Sequence, residues 1–227
     1  MKYLQNISFR NKVLFITSLM LIGIVAVILL SLFTMRRELF EDRKNKTKHV
    51  VESAFGILEH FEGQVKAGKM TTAEAQYAAM NVIKQLRYQD TEYFWINDMQ
   101  PLMIMHPYKP ELDGKDLSDF KDPNGKRLFV AFVDTVKAGG AGFVDYLWPK
   151  PNFKDPVPKI SYVKGFKPWE WIIGSGIYLD DVEAVFRAEA GKYVIVTVLV
   201  VALSAPGAAA APVGPRIIAP GKPALGP

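Results

Sequence analysis

The chain has 227 residues and a formal net charge of +5, which suits one ordinary domain with additional segments. Hydrophobic residues make up 49% of it and charged residues 22%, a balance that excludes an intrinsically disordered protein. The basic residues are spread along the chain without a nucleic-acid-binding motif, so we expect no nucleic-acid partner. Cysteine is absent, which rules out disulfides and thiolate metal sites.

Residues 13–34 predict a transmembrane anchor that follows a cytoplasmic N-terminus of residues 1–12. The run Val13–Phe33 contains no charge, and its 21 residues would span about 31 Å as a helix, the thickness of the hydrocarbon core. It lacks the small-residue cleavage site of a signal peptide, so we expect the anchor to stay uncleaved. More lysines and arginines follow the run than precede it, which by charge alone favours the opposite orientation. We nevertheless expect residues 35–191 to be extracytoplasmic, because long domains translocate largely regardless of charge.

Two helices are predicted after the anchor. From Met35 to about Gln64 the chain contains no proline and carries apolar residues at helical intervals, so a long helix continues directly from the membrane. We expect a homodimer to form through this helix. The sequence TTAE at 71–74 is a capping box that opens a second helix, which runs to Leu86.

A β-hairpin is predicted between Leu86 and Pro107. Residues 93–97 alternate with the period of a strand that has two different faces, and residues 97–101 supply turn chemistry before a return strand. The hairpin would place Tyr93, Trp95 and His106 near Arg87. An arginine, a histidine and aromatic rings around one small space suit a small carboxylate.

The later elements complete an α+β pattern. A helix over residues 126–138 ends at Gly139-Gly140, and a proline-rich open loop separates strands at 142–148 and 159–164. A further strand lies within 169–178, and Asp180-Asp181 starts another helix. Helices followed by five short strands indicate an antiparallel sheet flanked by helices.

The end of the chain has a different composition. Residues 192–204 predict the start of a second transmembrane helix, too short by itself to cross a bilayer. In residues 205–227, 17 of 23 residues are alanine, proline or glycine. This composition predicts a low-complexity, disordered tail that is foreign to the domain.

Four dense motifs lie between Arg87 and Asp181: LRYQDTEYFWIND, MIMHPYKPELDGKDLSDFKDPNGKRLF, GFVDYLWPKP and VPKISYVKGFKPWEWIIGSGIYLDDV. Together with the anchor and the second apolar segment, they resemble the single Cache (sCache, Cache type 2) sensor domain of bacterial methyl-accepting chemotaxis proteins. The resemblance covers residues 10–203. It implies a PAS-like antiparallel five-stranded sheet with a long N-terminal helix, flanked by transmembrane helices and held in the periplasm by the inner membrane. It also implies a sensor of small organic acids such as acetate, propionate, pyruvate or malate.

Cationic and aromatic residues in these motifs are the candidate ligand contacts. Arg87 presents a planar fork that matches a carboxylate, or it is a surface cation near a helix C-terminus. His106 would donate to a ligand oxygen, with its pKa raised by the acid, or it is a hydrogen-bonded strand residue. Lys159 would reach a second carboxylate oxygen, or it is a solvated lysine.

Aromatic residues at alternate positions of two strands form the remaining candidates. The tyrosines are the better contacts because a buried hydroxyl needs a polar partner, whereas packing in the core is the favoured explanation for each tryptophan. These residues are Tyr93, Trp95, Tyr146 and Trp148, with Tyr162 as a weaker candidate.

Three functions remain open from the sequence. The first is a membrane-anchored sensor of small organic acids that transmits a signal across the membrane. A membrane-tethered periplasmic enzyme is the second, although no nucleophile elbow, HExxH or phosphate loop is present. The third is a truncated receptor or decoy, because the HAMP linker and signalling coiled coil of such receptors are missing from the sequence. We expect no cofactor and, given the spacing of the three histidines, no metal.

Overall fold

The computed structural model describes residues 8–89 and 92–204. Within them lie four helices and six strands. The helices are α1 Phe9–Lys66, α2 Thr72–Gln85, α3 Leu128–Gly139 and α4 Leu179–Ser204. The strands are β1 Arg87–Tyr88, β2 Glu92–Asp98, β3 Met103–Met105, β4 Ala141–Pro149, β5 Pro156–Phe166 and β6 Trp171–Tyr178. Short 3-10 turns lie at Pro110–Leu112 and Lys167–Trp169.

The strands form one antiparallel sheet in the order β1-β2-β6-β5-β4, and β3 pairs with β2 outside this path. This confirms the predicted α+β class with an antiparallel sheet and a long N-terminal helix. The five predicted strands correspond to β2 through β6. The structure has one strand that the sequence did not predict, β1, whose two residues are too few to show a periodic pattern.

The sheet carries a hydrophobic cluster on each face. One cluster joins α1 and α2 to the sheet through residues such as Leu58, Ile83 and Ile173. The other packs α3 against the opposite face, with Phe132 and Trp148 among its members. The domain is therefore layered as helix, sheet and helix.

Local sequence signals set the ends of two helices. The Thr71 side chain accepts from the Glu74 N–H while the Glu74 carboxylate accepts from the Thr71 N–H, so the predicted capping box opens α2. Gly140 adopts a left-handed conformation with φ 76° and caps α3, where the paired glycines predicted a stop.

The predicted open loop between the middle strands is shorter than the prolines suggested. Pro149 ends β4, and Pro156 and Pro158 lie within β5, paired with Pro149 and Leu147 respectively. The pairing of β5 with β6 begins only at Lys159. The two prolines in β5 thus occupy an edge position, where a missing N–H is tolerated.

The apolar part of α1 is exposed in the structure. Among the described residues, α1 is the helix that is long and apolar enough to cross a membrane, and none of its apolar window is buried. Leu29–Ala188 form one compact unit, and α4 continues beyond it to Ser204. Residues 1–7, and the tail predicted over 205–227, lie outside the described residues.

The compact unit should fold without the flanking apolar segments. A domain of about 150 residues buries enough of its surface to be stable alone. We therefore expect a fragment of residues 36–191 to melt cooperatively when followed by circular dichroism. A gradual loss of signal without a transition would contradict these boundaries.

Gly176 in β6 should not tolerate a side chain. A Cβ placed there would lie 2.5 Å from the Ile160 carbonyl oxygen and 2.8 Å from the Ser161 Cα. We expect Gly176→Ala to lower the free energy of unfolding of the fragment by about 1–3 kcal/mol, because the neighbouring strand must move. The control is Gly63→Ala in the exposed interior of α1, where no atom lies within 4 Å of the added Cβ. Gly63→Ala should raise the free energy of unfolding of the fragment by up to about 1 kcal/mol. Urea titrations of both variants measure these changes, and an equal loss of stability in both would refute the argument.

Candidate functional site

A small cavity lies between α3 and the face of the sheet that α3 covers. Its volume is about 10 Å³, which is roughly the space of one water molecule. We call it the inner cavity. Side chains from β2, β4, α3 and the segment after β3 line it: Tyr93, Trp95, His106, Leu128, Phe129, Phe132, Tyr146 and Trp148. Five of the eight predicted site residues are thereby brought together.

Strand periodicity places the aromatic lining. Tyr93 and Trp95 alternate along β2, and Tyr146 and Trp148 alternate along β4, so each pair presents its rings to one face. Between them, β6 provides room through Gly174, where an added Cβ would meet the Trp95 ring. The Trp95 ring can therefore lie over β6 and lean towards the rings from β4, because its partner on β6 lacks a side chain.

Lys159 lies against the wall of the inner cavity and is only 1% exposed. It pairs with Tyr146 on β4 and with Tyr178, the last residue of β6, so it has a strand on each side. Its Nζ lies 4.3 Å from the centre of the Tyr93 ring, 4.5 Å from that of Tyr178 and 5.9 Å from that of Trp95. Within the described part of the chain, no carboxylate lies within 4.0 Å of this ammonium group. Burial lowers the pKa of Lys159 to about 8, so the group is still largely charged at neutral pH.

Hydroxyl groups surround this cation. Lys159 Nζ donates to the Tyr178 hydroxyl over 3.4 Å, and that hydroxyl donates to the Pro149 carbonyl oxygen over 3.0 Å. The Tyr93 hydroxyl interacts with the Tyr178 hydroxyl and the Trp148 indole. Tyr146 is bonded to Ser161 over 2.8 Å. The prediction that the buried tyrosines need polar partners agrees with these contacts.

Trp95 and His106 already have partners for part of their polar surface. The Trp95 indole donates to Asn97 Oδ1 over 3.1 Å, which favours the packing role for this tryptophan. His106 Nδ1 accepts from the N–H groups of Tyr108 at 3.2 Å and Lys109 at 2.9 Å, so the neutral ring carries its proton on Nε2. That N–H is the remaining donor of a residue that lines the inner cavity.

The surroundings of His106 lower its pKa. Burial, and secondarily the charge on Lys159, lower it to about 3, and the rise that we predicted beside a ligand acid stays a prediction. A charged imidazole would be desolvated and would face a second cation. His106 is therefore a neutral hydrogen-bond donor in this structure.

Arg87 and Tyr162 do not line the inner cavity. Arg87 is exposed, donates to the carbonyl oxygens of Lys84 and Leu86, and stacks 4.9 Å above the Tyr108 ring, which matches the alternative of a cation at a helix C-terminus. Tyr162 lies on the opposite face of the sheet, in the cluster beneath α1. It is three positions from Lys159 on one strand, and residues an odd number apart point to opposite faces.

Glu92 is the functional candidate that the sequence did not indicate. It is 6% exposed, and one of its carboxylate oxygens has no hydrogen-bond partner. Burial raises its pKa to about 7, opposed by the charge on Lys159. The only available signal was an acid that directly precedes the apolar run YFWI, a common arrangement at strand ends.

The chemistry of the site is that of binding a small anion. One buried cation, one neutral imidazole N–H and several hydroxyls surround a space bounded by aromatic rings. Among the described residues, no group of three His, Cys, Asp or Glu side chains is placed to hold a metal ion. Aromatic walls exclude water, which strengthens any charge interaction made inside them.

Comparison with known proteins gives consistent matches. A family model described as a Cache domain matches residues 23–196. The chain is similar to the methyl-accepting chemotaxis protein McpP of Pseudomonas putida, with 42% identity over 189 residues, covering 83% of this chain and 35% of McpP. It is also similar to the sensor histidine kinase MctS of Rhizobium johnstonii, with 35% identity over 52% of this chain and 25% of MctS. The chain thus spans between a quarter and about a third of the length of these curated relatives.

Two solved structures match almost over their full length. One is a periplasmic sensor domain of a chemotaxis protein, 51% identical, with a TM-score of 0.61 over 61% of this chain and 96% of that one. The other is a Cache chemosensory domain whose structure concerns carboxylic acid recognition, 51% identical, with a TM-score of 0.61 over 63% of this chain and 97% of that one.

His106 should make the stability of the domain depend on pH. The folded state keeps this ring neutral down to a pKa of about 3, whereas the unfolded chain takes up a proton below about pH 6.5. The stability is therefore complete above pH 6.5 and falls as the pH drops towards 3, by about 1.4 kcal/mol per pH unit. In His106→Asn the side-chain oxygen still accepts the two backbone N–H groups. We expect the free energy of unfolding of this variant to fall by about 2–3 kcal/mol less than that of the parent fragment between pH 6.5 and pH 4.5.

Urea titrations at the two pH values measure this difference. The control is His49→Asn, which removes an exposed imidazole from α1. Parallel losses in the parent and in His106→Asn would show that His106 is not held neutral.

Proposed function

The chain belongs to the Cache-domain family, the sensor domains of chemotaxis receptors, and from this premise we propose that it binds small organic acids outside the cell membrane and passes the occupancy of its site to the membrane. Domains of this family bind ligands rather than catalyse reactions. The observation that carries the proposal is Lys159, a buried ammonium group without a carboxylate within 4.0 Å in the described structure.

A small carboxylate fits the needs of this site. An unpaired buried cation is costly, and a ligand carboxylate supplies the missing counter-charge. The hydroxyls of Tyr93 and Tyr146 and the His106 N–H lie along the same wall and would orient its oxygens. The aromatic rings and α3 enclose the space tightly, which favours acids with a short apolar remainder over longer ones. Acetate, propionate, pyruvate and malate belong to this class, and the similarity to a Cache domain that recognises carboxylic acids supports it.

The site is connected to α4 through a single residue. Tyr178 accepts the hydrogen bond of Lys159, is the last residue of β6, and is followed directly by Leu179, the first residue of α4. Asp180 and Asp181 in the first turn of α4 pair with Lys150. A ligand that recruits Lys159 away from Tyr178 would therefore bias the start of a helix that runs on to Ser204. We propose that this is how binding reaches the membrane, with the apolar part of α1 as the anchor.

The experiment compares the two candidate cations in the fragment of residues 36–191. We expect Lys159→Met to weaken the binding of propionate at least 30-fold by calorimetry, because a desolvated charge pair contributes about 2–5 kcal/mol. At pH 6 the Glu92 carboxyl, whose pKa is about 7, is mostly protonated and no longer needs the cation. The melting temperature of Lys159→Met should then be equal to or higher than that of the parent, since a buried charge has been removed.

Lys164→Met is the matched control, because Lys164 lies on the same strand but contacts the Phe55 ring in the opposite cluster. It should bind propionate like the parent. Arg87→Ala tests the alternative anchor. If Arg87→Ala loses binding while Lys159→Met binds fully, Arg87 is the cation that holds the carboxylate. If the parent binds no short acid, the proposed function is overturned.

A further inference from the structure

The inner cavity is too small for the ligand class proposed above. At about 10 Å³ it holds the equivalent of one water. Acetate, the smallest acid of the class, has four heavy atoms, so at least one lining side chain must move when any acid binds. The structure indicates which one.

A second and larger space lies next to the inner cavity. It has a volume of about 370 Å³ and is bordered by residues that follow β3, by the loop before α3, and by the adjoining ends of β4 and β5. We call it the outer cleft. Trp148 lines both spaces, and it is the one residue shared by their linings.

Trp148 is placed as a wall between the two spaces. It is 4% exposed, lies next to the last residue of β4, and presents its ring to His106 at 5.6 Å and to Phe129 at 6.1 Å. Lys109 Nζ lies 5.5 Å from the same ring and also borders the outer cleft. Further ring contacts with Phe120 and Tyr146 and the interaction of its indole with the Tyr93 hydroxyl complete its surroundings, so its contacts come from side chains rather than from the backbone ladder of β4. The ring can therefore shift without breaking the pairing of its strand, and a ligand carboxylate can take over the polar contact.

We propose that Trp148 is a movable partition that sets the upper length of the acids that the domain accepts. The inference rests on the proposed function. The carboxylate of a bound acid lies in the inner cavity, and its chain extends towards Trp148. Short acids fit once the ring shifts slightly, whereas longer acids need the volume of the outer cleft, which the ring closes off.

The outer cleft also has a charge suited to a second carboxylate. Lys109 and Lys121 both line it, and the acid on its border, Asp122, is buried and accepts the backbone N–H groups of Asn124, Lys126 and Leu147. Removal of the partition should therefore admit longer dicarboxylates as well as longer monocarboxylates, and only the former should depend on Lys109.

The test uses the full chain in lipid nanodiscs, with calorimetry of the series from acetate to hexanoate and from succinate to adipate, and with empty nanodiscs to subtract partitioning. In Trp148→Ala, the affinity for hexanoate relative to acetate should rise at least tenfold over the parent. The affinity of Trp148→Ala for adipate relative to succinate should rise similarly. In the double variant Trp148→Ala with Lys109→Ala, the increase for adipate should disappear while the increase for hexanoate remains. Trp148→Leu and Trp148→Phe should give intermediate ratios, and they decide the question if the alanine variant does not melt cooperatively.

Trp169→Ala is the matched control, a similarly buried tryptophan in the cluster on the opposite face. It should leave the length preference unchanged. If the parent binds acetate and the folded Trp148 variants keep the parental length preference, the partition is overturned but the proposed function is not. A parent that binds no acid overturns both.

Discussion

A buried cation with no carboxylate within 4.0 Å among the described residues is the constraint on which this domain depends. Lys159 lies between β4 and β6, 1% exposed, and the faces of Tyr93 and Tyr178 replace only part of the water it has lost. The charge of Glu92 offsets its desolvation only in part, so the group lowers the stability of the domain. In the function we propose, the same group is the main source of affinity for a carboxylate. An arrangement that is unfavourable for folding and favourable for binding is expected of a binding site rather than of a core.

Other parts of the fold keep water away from Lys159 and link it to α4. Gly174 and Gly176 leave room on β6 for the Trp95 ring and the Ser161 hydroxyl, so the aromatic wall closes over the sheet. Tyr178 ties the cation to the first residue of α4. A ligand need not push on the helix directly. In the proposed mechanism it has only to draw Lys159 away from the Tyr178 hydroxyl, and the population of the helix positions would follow that change.

Local periodicity explains what the sequence could predict. The alternation in β2 and β4 correctly placed Tyr93, Trp95, Tyr146 and Trp148 on the face that lines the inner cavity, because the strand period is a property of neighbouring residues. The same rule could have separated Tyr162 from Lys159. The surroundings of the other candidate residues depend on contacts with residues that are distant in the sequence.

Arg87 and Glu92 illustrate those distant effects. The Arg87 guanidinium is engaged by the end of α2 and by Tyr108, 21 positions away. Glu92 is buried only because the sheet closes around it, and no pattern in the sequence distinguishes it from an exposed acid at a strand end. Arg87 still influences the site through contacts between rings, since Tyr108 lies 5.0 Å from the Tyr93 ring that covers Lys159. In the proposed function, two kinds of selection therefore operate in one small volume. The charge and the directed N–H and O–H groups select the carboxylate, and the aromatic wall, through its volume, selects what is attached to it.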